Sequence, residues 1–329
     1  MHMADALVAP AVATTMYLCS GVAGGVSIKK VRLEDNVKKI PTMGVMGAFV
    51  FATQMINFTI PGTGSSGHLC GGLLLSAILG PYAGFLTMIG VLLIQCLLFA
   101  DGGLLALGCN IWNMAFYGCF IGAFLIWRPI MKKGASKVKI IIASILGCIL
   151  TLQLGAFSVT LETLASGITE LPFSVFVATM QPIHLAIGFV EGCITASVLC
   201  FIYEARPELL WGIADKKENK LNFRKTLSIL AIATVFISGV LSLFASAFPD
   251  GLEWSMEKVA GSSELEATGS VYQAFSSMQE MTSFLPDYAF KNSESMAGTS
   301  FSGILGAIIV FCLCYTCCKL FKFFKKKSK

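Results

Sequence analysis

The chain opens Met1-His2, and a free amino terminus followed at once by histidine is a three-toothed metal chelate. The Met1 amine and the His2 backbone nitrogen close a five-membered ring on a metal, and the His2 amide and Nδ1 close a six-membered one. Three donors then lie nearly in one plane. A fourth nitrogen completes a square-planar N4 set, the geometry of Ni(II) or Cu(II) and open also to low-spin cobalt. The chain has only two other histidines, His68 and His184. A bulky residue at position 2 blocks removal of the initiator methionine, so Met1 keeps its place once its formyl group is gone. The plain alternative is a disordered start in which His2 does nothing, and the rest of the chain must decide.

Composition sets the class. Of 329 residues 55% are hydrophobic and 13% charged, against roughly 25% charged in soluble domains. The expectation is an all-α integral membrane protein. A crossing helix needs about 20 apolar residues, and hydropathy offers spans near 7–27, 42–58, 83–99, 104–127, 138–160, 175–203, 226–246 and 301–318. A shorter stretch, Leu69 to Gly80, stops at Pro81 and suffices for part of a crossing. Cytoplasmic loops collect Lys and Arg. If the short stretch crosses, the loops 28–41, 128–139 and 204–225 and the tail from Lys319 share one side and hold 22 of the 24 basic residues. Only Lys258 and Lys291 fall opposite. The count is therefore nine spans, with the amino terminus outside and the tail Lys325-Lys326-Lys327 in the cytoplasm.

That topology puts Met1-His2 in one compartment with the connection running from Thr59 through Pro61-Gly62-Thr63-Gly64-Ser65-Ser66-Gly67 to His68. The run lacks the Lys of a phosphate-binding loop and follows no strand signal. It reads as a mobile loop dipping into a protein-shielded cavity, since irregular backbone at membrane depth is otherwise costly, and it can bring His68 to a metal. His184 lies in the outward half of the seventh span with Glu191 seven residues on, on the same face. For this pair three roles stay open: orienting a ligand, direct ligation, and hydrogen bonding between helices. Asn57 beside the second span, with Gln95 and Asn110, adds polar groups that serve as a pathway or as glue between helices.

Twelve cysteines are scattered through the spans, and none falls in the external loop from Phe248 to Ser300. No disulfide framework is implied. Cys312, Cys314, Cys317 and Cys318 cluster at the inner end of the last span, where packing is the simple reading. The charged linker 204–225 divides the chain, and two spans follow that bracket the external loop. This loop carries eight acids against two lysines and contains Pro249-Asp250-Gly251-Leu252-Glu253. It reads as a solvated helical pair, with cation attraction as the alternative.

Four stretches together resemble the CbiM/NikM family. They are Met1-His2-Met3-Ala4-Asp5-Ala6-Leu7, Gln54-Met55-Ile56-Asn57-Phe58 through Gly67-His68, Asp101-Gly102-Gly103 to Asn110-Ile111-Trp112-Asn113-Met114, and His184 to Glu191-Gly192. This family comprises the metal-capturing membrane components of energy-coupling-factor cobalt and nickel importers. Residues 226–329 resemble its auxiliary component, with Pro249 to Glu253 matching the PDGLE signature. The resemblance implies a metal-capture domain over 1–203 with seven helices, a cytoplasmic linker over 204–225, and a PDGLE domain over 226–329 whose two helices flank the external loop 248–300. It implies an N4 site of Met1 amine, His2 amide, His2 imidazole and His68 imidazole, with nickel or cobalt as transported substrate and no organic cofactor. His184 and Glu191 match the family pattern without a ligand role. Separate ATPase subunits and a transmembrane coupling subunit are the implied partners in the cell membrane, with no nucleic acid. The chain has no GxxxxGK[ST] run of its own, so a transporter subunit and not an ATPase is expected. Gly21 and Gly25 at GxxxG spacing suit close packing in the bundle or against the coupling subunit. Two other classes make distinct predictions. A membrane redox protein holding haem between His68 and His184 would carry a chromophore, and a carrier of an organic micronutrient would not need His2.

Overall fold

A computed structural model describes residues 1–31, 38–213, 219–263, 265–291 and 295–327, and of the side chains beyond 320 only Phe323. The charged run Asp215 to Glu218 of the linker and the Lys325 to Lys327 side chains, which entered the charge argument, lie outside this set. The described residues are α-helical with one small hairpin. Its helices are α1 Pro10–Lys30, α2 Lys39–Gln54, α3 Gly72–Leu79, α4 Pro81–Phe99, α5 Leu107–Met131, α6 Lys137–Ser166, α7 Phe173–Ala205, α8 Phe223–Gly239, α9 Gly251–Ala260, α10 Ser270–Thr282 and α11 Met296–Lys327. The α5 helix is widened to i→i+5 hydrogen bonding over Ile111–Trp127.

Among the described residues six helices are long and apolar enough to cross a membrane: α1, α4, α5, α6, α7 and the Met296–Leu320 part of α11. The other expected spans are shorter. The α2 helix has 16 residues and α8 has 17, and α8 gives way at Gly239 to a tight turn over Leu241–Phe244, short of residue 246. Eight residues in α3 rise about 12 Å. Gly80, at φ 81°, then reverses the chain into α4 at Pro81, whose missing N–H costs nothing in a first helical turn.

The short α3 nonetheless links the two ends of the bundle. Its start follows His68, whereas Ala77 near its end accepts from Trp211 N at 2.7 Å. Trp211 belongs to the segment that holds Arg206 and Glu208, where Lys38 Nζ meets Glu208 Oε1 at 2.9 Å. At this same end Lys137 pairs with Glu204, and Tyr203 donates to Ala135 O at 3.0 Å. The loops rich in Lys and Arg thus gather together. Leu221 N donates to Ala205 O at 3.2 Å, which pins the end of α7 beside the start of α8. Asn222 caps α8 by accepting from Lys225 N at 2.8 Å, the standard use of a short polar side chain there.

Packing follows from small residues where backbones meet. A Cβ on Gly118 of α5 would lie 2.7 Å from Gly72 Cα, so only glycine lets α3 and α5 touch there. Trp127, Phe51, Phe85, Phe99 and Phe176 are fully buried. The final helix lies on α2, with Gly44 against Phe311 and Gly47 against Val310. On the outside, Leu18, Val22 and Val26 of α1 and Leu146, Leu150, Phe157 and Leu161 of α6 are exposed. Such apolar rows have a bilayer as their natural solvent.

The run from Thr59 to His68 is a hairpin and not a loose loop. Strand β1 (Phe58–Ile60) pairs antiparallel with β2 (Ser65–Gly67), Thr59 opposite Ser66. Gly62 and Gly64 sit at φ 77° and 74°, backbone that glycine adopts without cost. The far edge of β2 is also paired: Ser66 N donates to Pro249 O at 2.8 Å and Ser66 Oγ to Phe248 O at 2.7 Å.

Candidate metal centre

The amino terminus is built into the protein. Met3 N donates to Asn110 Oδ1 at 2.7 Å, and Asn110 Nδ2 returns a bond to Met3 O at 3.1 Å. Gly103 N also donates to Met3 O, at 2.9 Å, and Asp5 Oδ1 accepts from Ala106 N at 2.9 Å. Asn110 was a packing candidate in the sequence, and its amide instead grips the third residue like a strand partner. Met3 is fully buried and Met1 4% exposed. An N-terminal segment held by four such bonds has its amine in a fixed place.

That place is beside His68. The Met1 amine lies 2.7 Å from His68 Nε2 and pairs with Asp250 Oδ2. The His2 ring stacks on the His68 ring with centroids 5.2 Å apart and planes 19° off parallel. Met1 and His2 therefore share one small volume with His68, 67 residues from Met1 in sequence. His68 Nδ1 faces Leu69 O at 3.1 Å. A carbonyl only accepts, so the proton sits on Nδ1 and the Nε2 lone pair is turned to the amine. Burial pushes the His68 pKa down to about 3, with the nearby ammonium adding to the effect, so this lone pair stays free of protons. Burial works most strongly against the charged amine, but the groups around it, Asp250 foremost with Asp101 behind it, together raise the amine above its ordinary value.

The loop that presents His68 is clamped from α7. Glu191 Oε2 accepts from Cys70 N at 3.0 Å and Oε1 from Gly71 N at 2.9 Å. Gly71, at φ 80°, gives the bend from loop into α3. Glu191 thus holds the backbone two and three residues after His68, where the chain enters α3. His184 is separate. Its Nδ1 donates to Met180 O at 2.8 Å within α7, and its Nε2 is buried without a partner. A void of about 10 Å³ lies between His184, Met1, His68 and Asp250, barely the room one water needs. Asn57 is not brought to the amine. Its carbonyl accepts from Ser246 N at 2.7 Å, and it stands at the rim of a larger cavity above the terminus.

Three neighbours of the terminus escaped the sequence reading. Asp101 Oδ1 meets His2 Nδ1 at 3.0 Å, and its Oδ2 accepts from Tyr288 OH at 2.5 Å. The ring nitrogen that a chelate would use is thus turned to a carboxylate. The third is Asp250, at the start of α9. Its Oδ1 accepts from Leu252 N at 2.8 Å and Glu253 N at 3.0 Å, while Glu253 Oε2 accepts from Asp250 N at 2.9 Å, a reciprocal cap. The D-x-x-E spacing is a legible helix start, but nothing local says that its free oxygen reaches Met1. The external segment is therefore no mere solvated pair. The cation at its contact is the ammonium, which holds Asp250 well below the usual carboxylate range although burial acts the other way. Among the described residues no three His, Cys, Asp or Glu side chains form a metal cage. The donors gathered here are main-chain nitrogen and two imidazoles.

Two family models match the chain. Residues 2–209 match the family described as the cobalt uptake substrate-specific transmembrane region, CbiM, and residues 224–323 match the PDGLE domain. A protein of Archaeoglobus fulgidus provisionally named a fused nickel transport protein, NikMN, is 34% identical over 95% of this chain and 96% of its own. The fused nickel transport protein NikMN of Rhodobacter capsulatus is 28% identical over 94% of this chain and 95% of its own. A crystal structure titled as a truncated transition metal transporter superposes with a TM-score of 0.55 at 30% identity, covering 62% of this chain and 99% of that one.

Proposed function

Since the chain belongs to the CbiM family of cobalt uptake transmembrane proteins, we propose that it captures nickel or cobalt ions from outside the cell membrane. The Met1 amine, the deprotonated His2 amide, the His2 imidazole and the His68 imidazole form a square-planar N4 set around the ion. The observation that carries this reading is the buried Met1 amine at 2.7 Å from His68 Nε2, with the His2 ring stacked on His68. To chelate, His2 Nδ1 leaves Asp101 and the amine leaves Asp250. Until then the ammonium beside Asp250 holds the place of the ion's positive charge.

In this reading residues 1–203 are the capture domain, 204–225 a cytoplasmic linker and 226–329 an auxiliary PDGLE domain. The chain is the substrate-specific component of an energy-coupling-factor importer, with ATP hydrolysed by partner subunits. The outer face of α1 suits the coupling subunit: Cβ atoms at Gly21 and Gly25 would meet nothing within 4 Å, and Leu18, Val22 and Val26 around them are exposed. A helix laid on such a groove approaches closely.

The test is elemental analysis and the optical spectrum of protein whose terminus begins at Met1. One nickel per chain, diamagnetic and with the yellow absorption of planar nitrogen ligation, is expected. Paramagnetic six-coordinate nickel, or none, overturns the N4 assignment.

A further inference from the structure

Helix α10, Ser270–Thr282, is tied to the ends of α1 and α4, two helices long and apolar enough to cross the membrane. Near its start Tyr272 OH donates to Val8 O at 3.1 Å, just ahead of α1. Near its end Gln279 Nε2 donates to Cys96 O at 3.0 Å in α4 and to Gly102 O at 2.8 Å beyond it. Leu285 N then donates to Leu98 O at 3.3 Å. Cys96 and Leu98 belong to the last turn of α4, which stops at Phe99. The far end of α10 is therefore held level with the last apolar turn of a crossing helix and not above it. Pinned at both ends to the same rim of the bundle, α10 lies along the membrane plane.

Its two faces are the reverse of those of a helix in a water-soluble domain. Tyr272, Gln273, Ser276, Ser277, Gln279 and Glu280 line a cavity of about 930 Å³ above the terminus. Val271, Ala274, Met278 and Met281, three or four residues apart and so in one row, are exposed on the other side. Met278 is 56% exposed and Met281 87%, and Phe284 just past the helix is 51% exposed. No charged residue interrupts the row. In water an amphipathic helix turns its apolar row to the core, whereas this row looks away from the protein at the depth where hydrocarbon begins. We propose that α10 is an interfacial helix whose apolar row is seated in the acyl boundary of the leaflet on the terminus side. The occupant of this face is the bilayer itself. Many helices of this kind carry Lys and Arg on the polar face and are drawn to anionic lipid. The α10 sequence has one acid, Glu280, and no base, so its seat is apolar and indifferent to lipid charge. Lipid thereby holds one wall of the cavity over His2. The inference needs only that α1 and α4 cross the membrane, and it stands whatever Met1 and His68 bind.

A tryptophan placed in the row reads its surroundings. The full chain with Met278→Trp is put in nanodiscs of phosphatidylcholine brominated on the upper acyl carbons, and the emission of the parent chain with its four tryptophans is subtracted. Lipid bromine should quench most of the added emission, and aqueous iodide little of it. Gln273→Trp, five residues away and about 140° round the helix, should show the opposite. Both results should be unchanged in discs that contain phosphatidylglycerol. A circular-dichroism melt checks each variant, and Met281→Trp takes the place of Met278→Trp if that chain does not fold. A tryptophan in the row that iodide quenches and lipid bromine does not puts the row in water. One shielded from both puts it against a second copy of the chain. Either result overturns the membrane seat, and lipid quenching that appears only with phosphatidylglycerol overturns its apolar character.

Discussion

One glycine added ahead of Met1 alters no side chain's chemistry and converts the amine to an amide. Two consequences can be sized. The first is electrostatic. Met1 is 4% exposed and Asp250 9%, and removing one partner of a buried ion pair costs about 3–5 kcal/mol. Asp250 Oδ1 keeps its bonds from Leu252 N and Glu253 N, so the low end, about 3 kcal/mol, applies. That is a shift of about a hundredfold toward an undocked terminus. The second is steric, because the void beside the amine is about 10 Å³ and cannot hold a residue. The added glycine must therefore force Met1 and His2 away from His68. In detergent, the extended chain should bind less than a tenth of the nickel of the native one, and its unfolding midpoint should drop by several degrees. Elemental analysis and a tryptophan-fluorescence melt measure both, with protease release of native Met1 from a longer fusion as the restored control. An extended chain that keeps one planar nickel and an unshifted midpoint would refute the argument at its root.

Three further outcomes are expected. His68→Ala leaves the tridentate terminus and should weaken nickel binding strongly, whereas His184→Ala, whose Nδ1 bonds only its own helix, should change the nickel spectrum little; the reverse ranking in a competition titration exchanges their roles. Glu191→Gln presents an amide donor to the N–H of Cys70 or Gly71 and should cost about 10- to 100-fold in metal affinity, and an unchanged dissociation constant means that the clamp does not position His68. Acidification should weaken binding. Below the raised pKa of the amine, each metal displaces the amine proton and the His2 amide proton, while His68, held to about 3, contributes none. Affinity then falls about a hundredfold per pH unit between pH 7 and 6, and calorimetry in buffers of different ionisation enthalpy should count two protons. Equal affinity at the two pH values removes both the amine and the amide from the ligand set.

What the sequence disclosed and what it hid divides along physical lines. The Met1-His2 pair is legible because chelate rings are local geometry, and long apolar runs announce α1, α4, α5, α6 and α7 because a bilayer demands them. The shared face of His184 and Glu191 is also local, yet their targets differ: one bonds its own helix, the other a loop more than a hundred residues away. No spacing rule foretells that. Asp101, Asp250 and Tyr288 sit in short connections whose tertiary placement decides everything. The hairpin over 58–67 went unforeseen since its third partner, the carbonyls of Phe248 and Pro249, comes from the far end of the chain.

The contact between Leu221 and Ala205 that pins α8 beside the end of α7 has a bearing on assembly. Tethered by so short a return, Asp250 and Tyr288 find the terminus at an effective concentration on the order of millimolar, whatever the number of copies in the membrane. Contacts too weak to hold two freely diffusing chains together then suffice. Separation of the halves becomes a local opening that closes again within the same molecule. Neither half waits for the other, and the two are always made in equal number.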